Sequence, residues 1–286
     1  MSIDLKDFYS QMLLIRTIES KFLEYYSKGL IKGTVHTCLG QEACAVGLLN
    51  AIDQEKDIVF SNHRAHGHFI AYGGPAQEMV SEVLGKESGI CSGIGGSQHL
   101  HWKNFYTNGI QGGMVPSAVG SALAEKLKKS NAVTLVFIGD GTMGQGTIYE
   151  SFNISALWKL PVIFVLENNK IAQSTPLQMA HSGNLEERAE PFGIKTIKED
   201  GNDVTKVYKN ACSVINYVRN HSLPVFLVHD TYRLGPHSKG DDFRPSDEIE
   251  KHQERDPLQI TARDLSCQVK KEIEAEVLAR VENLFN

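Results

Sequence analysis

The sequence predicts an α/β protein in which helices flank a parallel sheet, and three observations carry that expectation. Short apolar runs at Val133–Ile138, Pro161–Leu166 and Pro224–His229 read as buried strands, because a parallel sheet is covered on both faces. Helical stretches alternate with them, which is the pattern of βαβ units. The first of these strands runs directly into a glycine turn of the kind that precedes a helix.

Taken in order, Leu5–Lys28 is predicted helical. Phe8, Met12, Ile15, Phe22 and Tyr26 fall near one face at three- and four-residue spacing, and Gly29 supplies a stop. A second helix over Gln41–Ala51 leads to a short strand at Asp57–Phe60. Residues 85–120 then break the alternation, with glycines at 85, 89, 93, 95, 96, 109, 112, 113 and 120 and a single proline. So long a loop in a compact domain is usually functional, and Trp102, Phe105 and Tyr106 favour an ordered ligand loop. Helices at Ser117–Lys129, Thr147–Trp158 and Val204–Asn220 complete the alternation. From Pro257 onward a charged helix carries Leu265, Val269, Ile273, Val277 and Val281 as an apolar stripe. One domain over residues 1–256 with a C-terminal helical extension over 257–286 is expected.

The 286 residues are 41% apolar and 22% charged, an ordinary globular balance, and the net charge of −5 argues against a nucleic-acid partner. No apolar run approaches the length of about 18 residues that a membrane span needs. The opening MSIDLKDFYSQ has neither a basic, apolar signal nor an Arg-rich presequence, so no targeting segment is expected. Cys38, Cys44, Cys91, Cys212 and Cys267 are odd in number and lack CxxC spacing, which points to reduced thiols and a cytoplasmic location.

Gly139-Asp140-Gly141-Thr142-Met143-Gly144 matches the G-x-G-x-x-G pattern of dinucleotide sites. That fingerprint sets a pyrophosphate against the turn. Asp140 would then place a carboxylate beside a diphosphate, and two anions need a cation between them. The next strand ends in Glu167-Asn168-Asn169, and a right-handed crossover lays its exit beside the first. A carboxylate, an amide oxygen, a backbone carbonyl and diphosphate oxygens make a hard oxygen site that suits Mg²⁺. Two alternatives stand beside this reading: a Rossmann site with Glu167 as ribose ligand, and a plain strand–turn–helix with Asp140 as a cap.

Gly139-Asp140-Gly141, followed after 26 residues by Asn168-Asn169, resembles the thiamine-diphosphate fingerprint. The runs Gly40-Gln41-Glu42-Ala43, Asn62-His63-Arg64-Ala65-His66-Gly67, Gly95-Gly96-Ser97, Ala156-Leu157-Trp158-Lys159-Leu160-Pro161 and Tyr232-Arg233 extend the likeness. Over roughly Leu5 to Leu258 the chain resembles the alpha subunit of the decarboxylating component of 2-oxo acid dehydrogenase complexes, a family that includes pyruvate, branched-chain and acetoin enzymes. The resemblance implies a thiamine-diphosphate-binding fold with thiamine diphosphate and Mg²⁺ as cofactors. It implies Asp140, the side-chain oxygen of Asn169 and the backbone carbonyl of Ile171 as metal ligands. Gly139, Gly141 and Thr142 would form the diphosphate turn, with backbone N–H groups at a helix N-terminus, and Arg64 would add a guanidinium fork. Gly109 and Gln111 align with the loop that holds the aminopyrimidine. His63, where relatives often have tyrosine, and His237, which matches the histidine assisting acyl transfer, are the implied catalytic residues; His237 is also an implied cofactor contact. Ser238 occupies a position phosphorylated in some relatives.

The resemblance also implies partners. A separate beta subunit would supply the glutamate that activates the cofactor, in an α2β2 heterotetramer, and a lipoyl-bearing acyltransferase would receive the acyl group derived from a 2-oxo acid. Three departures qualify the match. Gln111 replaces the apolar residue that relatives use beneath the bent cofactor, Ile171 stands where tyrosine is common, and both residues 237–256 and the tail after Leu258 are short. Two other classes stay open: a two-component carboligase with a non-lipoyl acceptor, and a Rossmann binding module. A zinc cluster drawn from His63, His66, His68, His99 and His101 is a further alternative, opposed by the lack of Cys or acidic ligands at zinc spacing. Arg64 as a surface ion pair and His237 as a solvated loop histidine are the bland readings of those two residues.

Overall fold

Apolar residues on both faces of the central strands bury a sheet between two helical layers. The computed structural model describes residues 4–238, 240 and 242–286. Its first half comprises α1 (Leu5–Ser27), α2 (Glu42–Leu49), β1 (Ile58–Ser61), α3 (His66–Ala71), α4 (Ala76–Val83), β2 (His101–Trp102), β3 (Phe105–Thr107), α5 (Val115–Lys128), β4 (Thr134–Gly139) and α6 (Gly146–Leu157). The second half runs β5 (Val162–Asn168), β6 (Ile171–Ala172), β7 (Thr175–Pro176), α7 (Leu177–Ala180), β8 (Lys195–Asp200), α8 (Val204–His221), β9 (Val225–Asp230), α9 (Ser246–Gln253), α10 (Pro257–Ala262) and α11 (Cys267–Phe285).

Seven strands lie in the order β2-β3-β1-β4-β5-β9-β8, all neighbours parallel except β2 against β3. Strand alternation feeds two cores. Leu135, Phe137, Ile163 and Val165 join α1, α2 and α8 on one side, while Val136, Ile138, Phe164 and Leu166 lie under α5 and α6 on the other. From β1 the chain moves outward to β3 and then returns to place β4 on β1's opposite side. The loops leaving β1 and β4 therefore diverge, and the crevice between them is the switch point where open parallel sheets bind ligands.

The predicted strands and long helices are present with ends shifted by a residue or two, and β5 continues to Asn168, so Glu167 and Asn168 are strand residues. Residues 85–120 are not a single loop: they contribute β2, β3 and the start of α5, and Phe105 is fully buried. The glycine-rich part before β2 is ordered by one buried carboxylate. Glu82 accepts N–H bonds from Cys91 and Gly93, both at 2.8 Å, and from Gly96 at 2.9 Å. The predicted C-terminal helix is likewise corrected, because the segment from Pro257 forms two helices rather than one, with Leu265 in the turn between them and the rest of the apolar stripe on α11. Asp256 caps α10 through Leu258 N, and Ser266 caps α11 through Val269 N. Val277, Val281, Leu284 and Phe285 are buried, whereas Leu265 and Ile273 are half-buried. Phe285 packs on Phe22 and Tyr25 with ring centres 5.5 and 5.0 Å apart. Arg16 on α1 bridges Glu42 and Asp256, pinning the tail to the α1–α2 layer. Among the described residues no helix is long and apolar enough to cross a membrane. The five cysteines are free thiols, with Cys38 and Cys44 buried.

His229 on β9 is fully buried, level with Glu167 on β5 and Glu199 on β8, and neither ring nitrogen has a hydrogen-bond partner among the described residues. Burial pushes its pKa down to about 4, against the opposing pull of Glu167, Asp200 and Asp230. Between that value and the ordinary 6.5 the unfolded ring binds a proton that the folded ring does not. Stability is therefore present above 6.5 and lost as pH falls, by up to about 1.4 kcal/mol per pH unit. Urea unfolding at several pH values should show this slope in the wild type and a shallower one in His229→Leu. Equal slopes would contradict the buried neutral imidazole.

Candidate functional site

The carboxyl ends of β1, β3, β4, β5 and β9 open into a cleft of about 400 Å³, a size suited to a small cofactor. Every residue that the resemblance assigned to the metal, the cofactor or catalysis lines its wall. His63 and Arg64 come from the loop after β1, Gly109 and Gln111 from the loop after β3, and Gly139, Asp140, Gly141 and Thr142 from the end of β4 and the turn beyond it. Asn169 and Ile171 follow β5, and His237 follows β9.

Two buried charges face this space, and neither has an ion-pair partner among the described residues. Asp140 is 2% exposed. Its Oδ1 accepts from Gly141 N at 3.0 Å, while its buried Oδ2 has no hydrogen-bond partner among the described residues. Burial pushes this carboxyl above its ordinary pKa, although the backbone bond partly opposes the shift. Arg64 is 5% exposed, so it is not a surface ion pair. Its guanidinium donates to Thr37 O and lies 3.5 Å from His237 O and Nδ1. No carboxylate among the described residues pairs with it, and burial depresses its pKa. Stranded buried charges of this kind cost several kcal/mol each, of the order seen for unpaired ions in proteins.

The turn that carries Asp140 is a single 3-10 helix over 140–144, and extended Gln145 separates it from α6. The glycine motif thus does not open straight into an α-helix, and the Gly141 N–H is engaged by Asp140 itself. Gly141 has to be glycine because a Cβ there would come within 2.8 Å of Ala172 Cβ. Ala172 sits in the small β6–β7 hairpin, entered through Lys170 in a left-handed conformation at φ 64°. Asn169 folds into the same hairpin. Its Oδ1 accepts from Ile171 N at 3.3 Å and its Nδ2 approaches Gln41 Oε1 at 3.5 Å.

The histidines divide into two groups. His66 bonds Glu19 and Ser97, His68 bonds Ser61 and Glu167, and His101 bonds Phe105 O, so the suggested zinc cluster disperses. His63 and His237 instead meet His36, which sequence reasoning had not singled out, with ring centres 4.7 and 4.8 Å from it. Ring nitrogens of the three lie within 4.8 Å of one another. Arg233 Nη1 lies 3.0 Å from His237 Nδ1 and Arg64 is adjacent, so two guanidinium groups oppose a cation here. Burial, reinforced by Arg64, His36, His237 and Arg233, holds His63 well below its ordinary pKa. Gln111 joins His63 Nδ1 through its amide nitrogen and Thr142 Oγ1 through its oxygen, the latter at 2.8 Å. His237 is half-buried against these groups rather than solvated, and Ser238 beside it is 6% exposed. Gln98 and Arg233 also escaped notice. Arg233 lies within a recognised run, but nothing local marks Gln98, which reaches His36 Nδ1 at 3.0 Å from a glycine-rich segment.

The dehydrogenase E1 component family matches residues 10–286. The chain is 40% identical over 269 residues to the pyruvate dehydrogenase E1 component subunit alpha of Zymomonas mobilis, covering 92% of this chain and 76% of that one. It is also 40% identical over 263 residues to the protein of the same description from Rhizobium meliloti, with coverage of 89% and 75%. The alpha subunit of the acetoin:2,6-dichlorophenolindophenol oxidoreductase of Bacillus subtilis is 38% identical over 258 residues, covering 88% of this chain and 77% of that one.

An unmatched buried carboxylate destabilises the metal-free fold. Asp140→Asn keeps the shape and removes the charge, so it should raise stability without divalent cations by about 1–3 kcal/mol, the scale of one unsatisfied polar group. Thermal unfolding in chelator reads this directly. A lower melting temperature in the variant would show that the carboxylate already has its counter-charge.

Proposed function

The chain belongs to the dehydrogenase E1 component family and is a component of a thiamine-diphosphate-dependent 2-oxo acid dehydrogenase, and on that premise we propose how its residues divide the work. The observation that carries the proposal is the pair of buried charges, Asp140 and Arg64, lining one cleft without an ion-pair partner among the described residues. A metal-bound diphosphate would satisfy both, with the Asp140 carboxylate available to the cation and the Arg64 guanidinium to phosphate oxygens. Asp140, the Asn169 side-chain oxygen and the Ile171 carbonyl hold Mg²⁺. Arg64 and the Gly139–Thr142 turn hold the diphosphate, while Gly109 and Gln111 flank the aminopyrimidine. Thiamine diphosphate, when bound, supplies the nucleophilic carbon and the electron sink for loss of carbon dioxide from a 2-oxo acid. His63 and His237 stand beside that centre to orient substrate and acceptor by hydrogen bonds. A dinucleotide alone would leave the Asp140 carboxylate facing another anion.

The alpha-subunit descriptions of the relatives support a beta-type partner chain. An α2β2 assembly, a lipoyl-bearing acyltransferase as acceptor and a cytoplasmic location complete the proposal. Pyruvate and acetoin are the substrates that the relatives' names suggest. Co-purification of the chain with its partner, followed by reductive acylation of lipoamide from a panel of 2-oxo acids, tests this reading. Arg64→Ala should weaken thiamine diphosphate binding at least 30-fold, in line with the roughly 2–5 kcal/mol cost of breaking a buried charge contact. An assembly that joins two-carbon units to aldehydes and never acylates lipoamide would move the acceptor to the carboligase class.

A further inference from the structure

Gln111 spans the cleft between two loops that the sheet topology keeps apart. His63 leaves β1 and Thr142 belongs to the turn after β4, and Gln111, from the loop after β3, touches both. Its amide nitrogen meets His63 Nδ1, and its oxygen accepts from Thr142 Oγ1 at 2.8 Å. An amide NH₂ donates and does not accept, so the Nδ1 it meets must carry a lone pair. A neutral imidazole bears one proton, which then resides on Nε2. His63 is neutral in this setting because it is buried beside Arg64 and near Arg233. Arg233 imposes the same arrangement on His237, since a guanidinium 3.0 Å from Nδ1 can only donate.

We propose that Gln111 is a positioning residue that locks His63 as its Nε2–H tautomer, making the ring a hydrogen-bond donor to an anionic oxygen in the cleft rather than a base. The lock is tied through Thr142 to the turn in which the diphosphate is proposed to sit, and it rests on the cofactor reading only for the identity of that oxygen. Reversing the amide would exchange every role: the Gln111 oxygen would accept from Nδ1–H, and His63 would present a bare Nε2. An apolar side chain at position 111 would impose neither tautomer.

The test is two-bond ¹H–¹⁵N spectroscopy of the full chain, carrying its partner where one co-purifies, labelled at histidine and free of cofactor at about pH 7, where His is usually titrating. His63 is assigned from the signal lost in His63→Gln. A pyridine-type Nδ1 with a pyrrole-type Nε2 is expected. Gln111→Leu should average the two nitrogens, and Gln111→Glu, whose carboxylate only accepts, should move the proton to Nδ1. A pyrrole-type Nδ1 in the wild type, or a tautomer unchanged in both variants, overturns the proposal. If both variants fail to fold, the wild-type spectrum decides alone. Because no cofactor is present, failure of this lock and failure of the cofactor reading are separately visible.

Discussion

A buried carboxylate and a buried guanidinium share one cleft and do not neutralise each other, and much of the site is organised by that constraint. Asp140 is fixed at the end of β4 and Arg64 in the loop after β1. Those strands are neighbours, but their connections diverge, so the two side chains flank a space instead of closing on each other. The fold tolerates two unmatched charges because seven strands and two apolar cores support it. Proteins commonly carry such local cost at sites that a ligand completes. A metal–diphosphate has the required pattern of opposite charges.

The loops around the cleft are held by buried carboxylates whose own hydrogen bonds are satisfied. Glu19 on α1 accepts from Cys38 N and bonds His66, whose other nitrogen reaches Ser97. That chain places the segment bearing His36 against the segment bearing Gln98, and those two residues then bond each other. Glu42 accepts from Gly40 N while gripping Arg16, so the Gln41 side of the cleft is referenced to α1 as well. Glu82 performs the same task for residues 91–96. Removing Glu82 would leave three part-buried N–H groups without that acceptor, and removing Glu19 or Glu42 would strand one buried N–H and a side-chain partner, in each case a larger loss than that of a surface ion pair.

The central strands were legible because β4, β5 and β9 are apolar on both faces. β3 was hidden by its brevity and by the glycine-rich sequence around it, although it lies beside β1 in the main sheet. β8 escaped because Lys195, Thr196, Lys198, Glu199 and Asp200 make it read as a polar segment, which suits its place at the sheet edge. In the site, Asp140 and Asn169 could be found because each sits in a contiguous motif at a strand end. His36, Gln98 and Arg233 could not be grouped from sequence, since three separate loops bring them together and only the folded chain defines their spacing. The zinc alternative failed for the same reason: His63, His66 and His68 are close in sequence, but the start of α3 turns their rings toward different partners.

The charge arrangement is tested most directly by titrating thiamine diphosphate calorimetrically into the purified protein with its partner, once with Mg²⁺ and once with chelator. Saturable binding that needs the divalent cation, and is lost in Asp140→Ala, is the predicted result. Binding of equal strength in chelator, or saturable binding of a nicotinamide dinucleotide in place of thiamine diphosphate, would contradict a cleft built around a metal-bridged diphosphate.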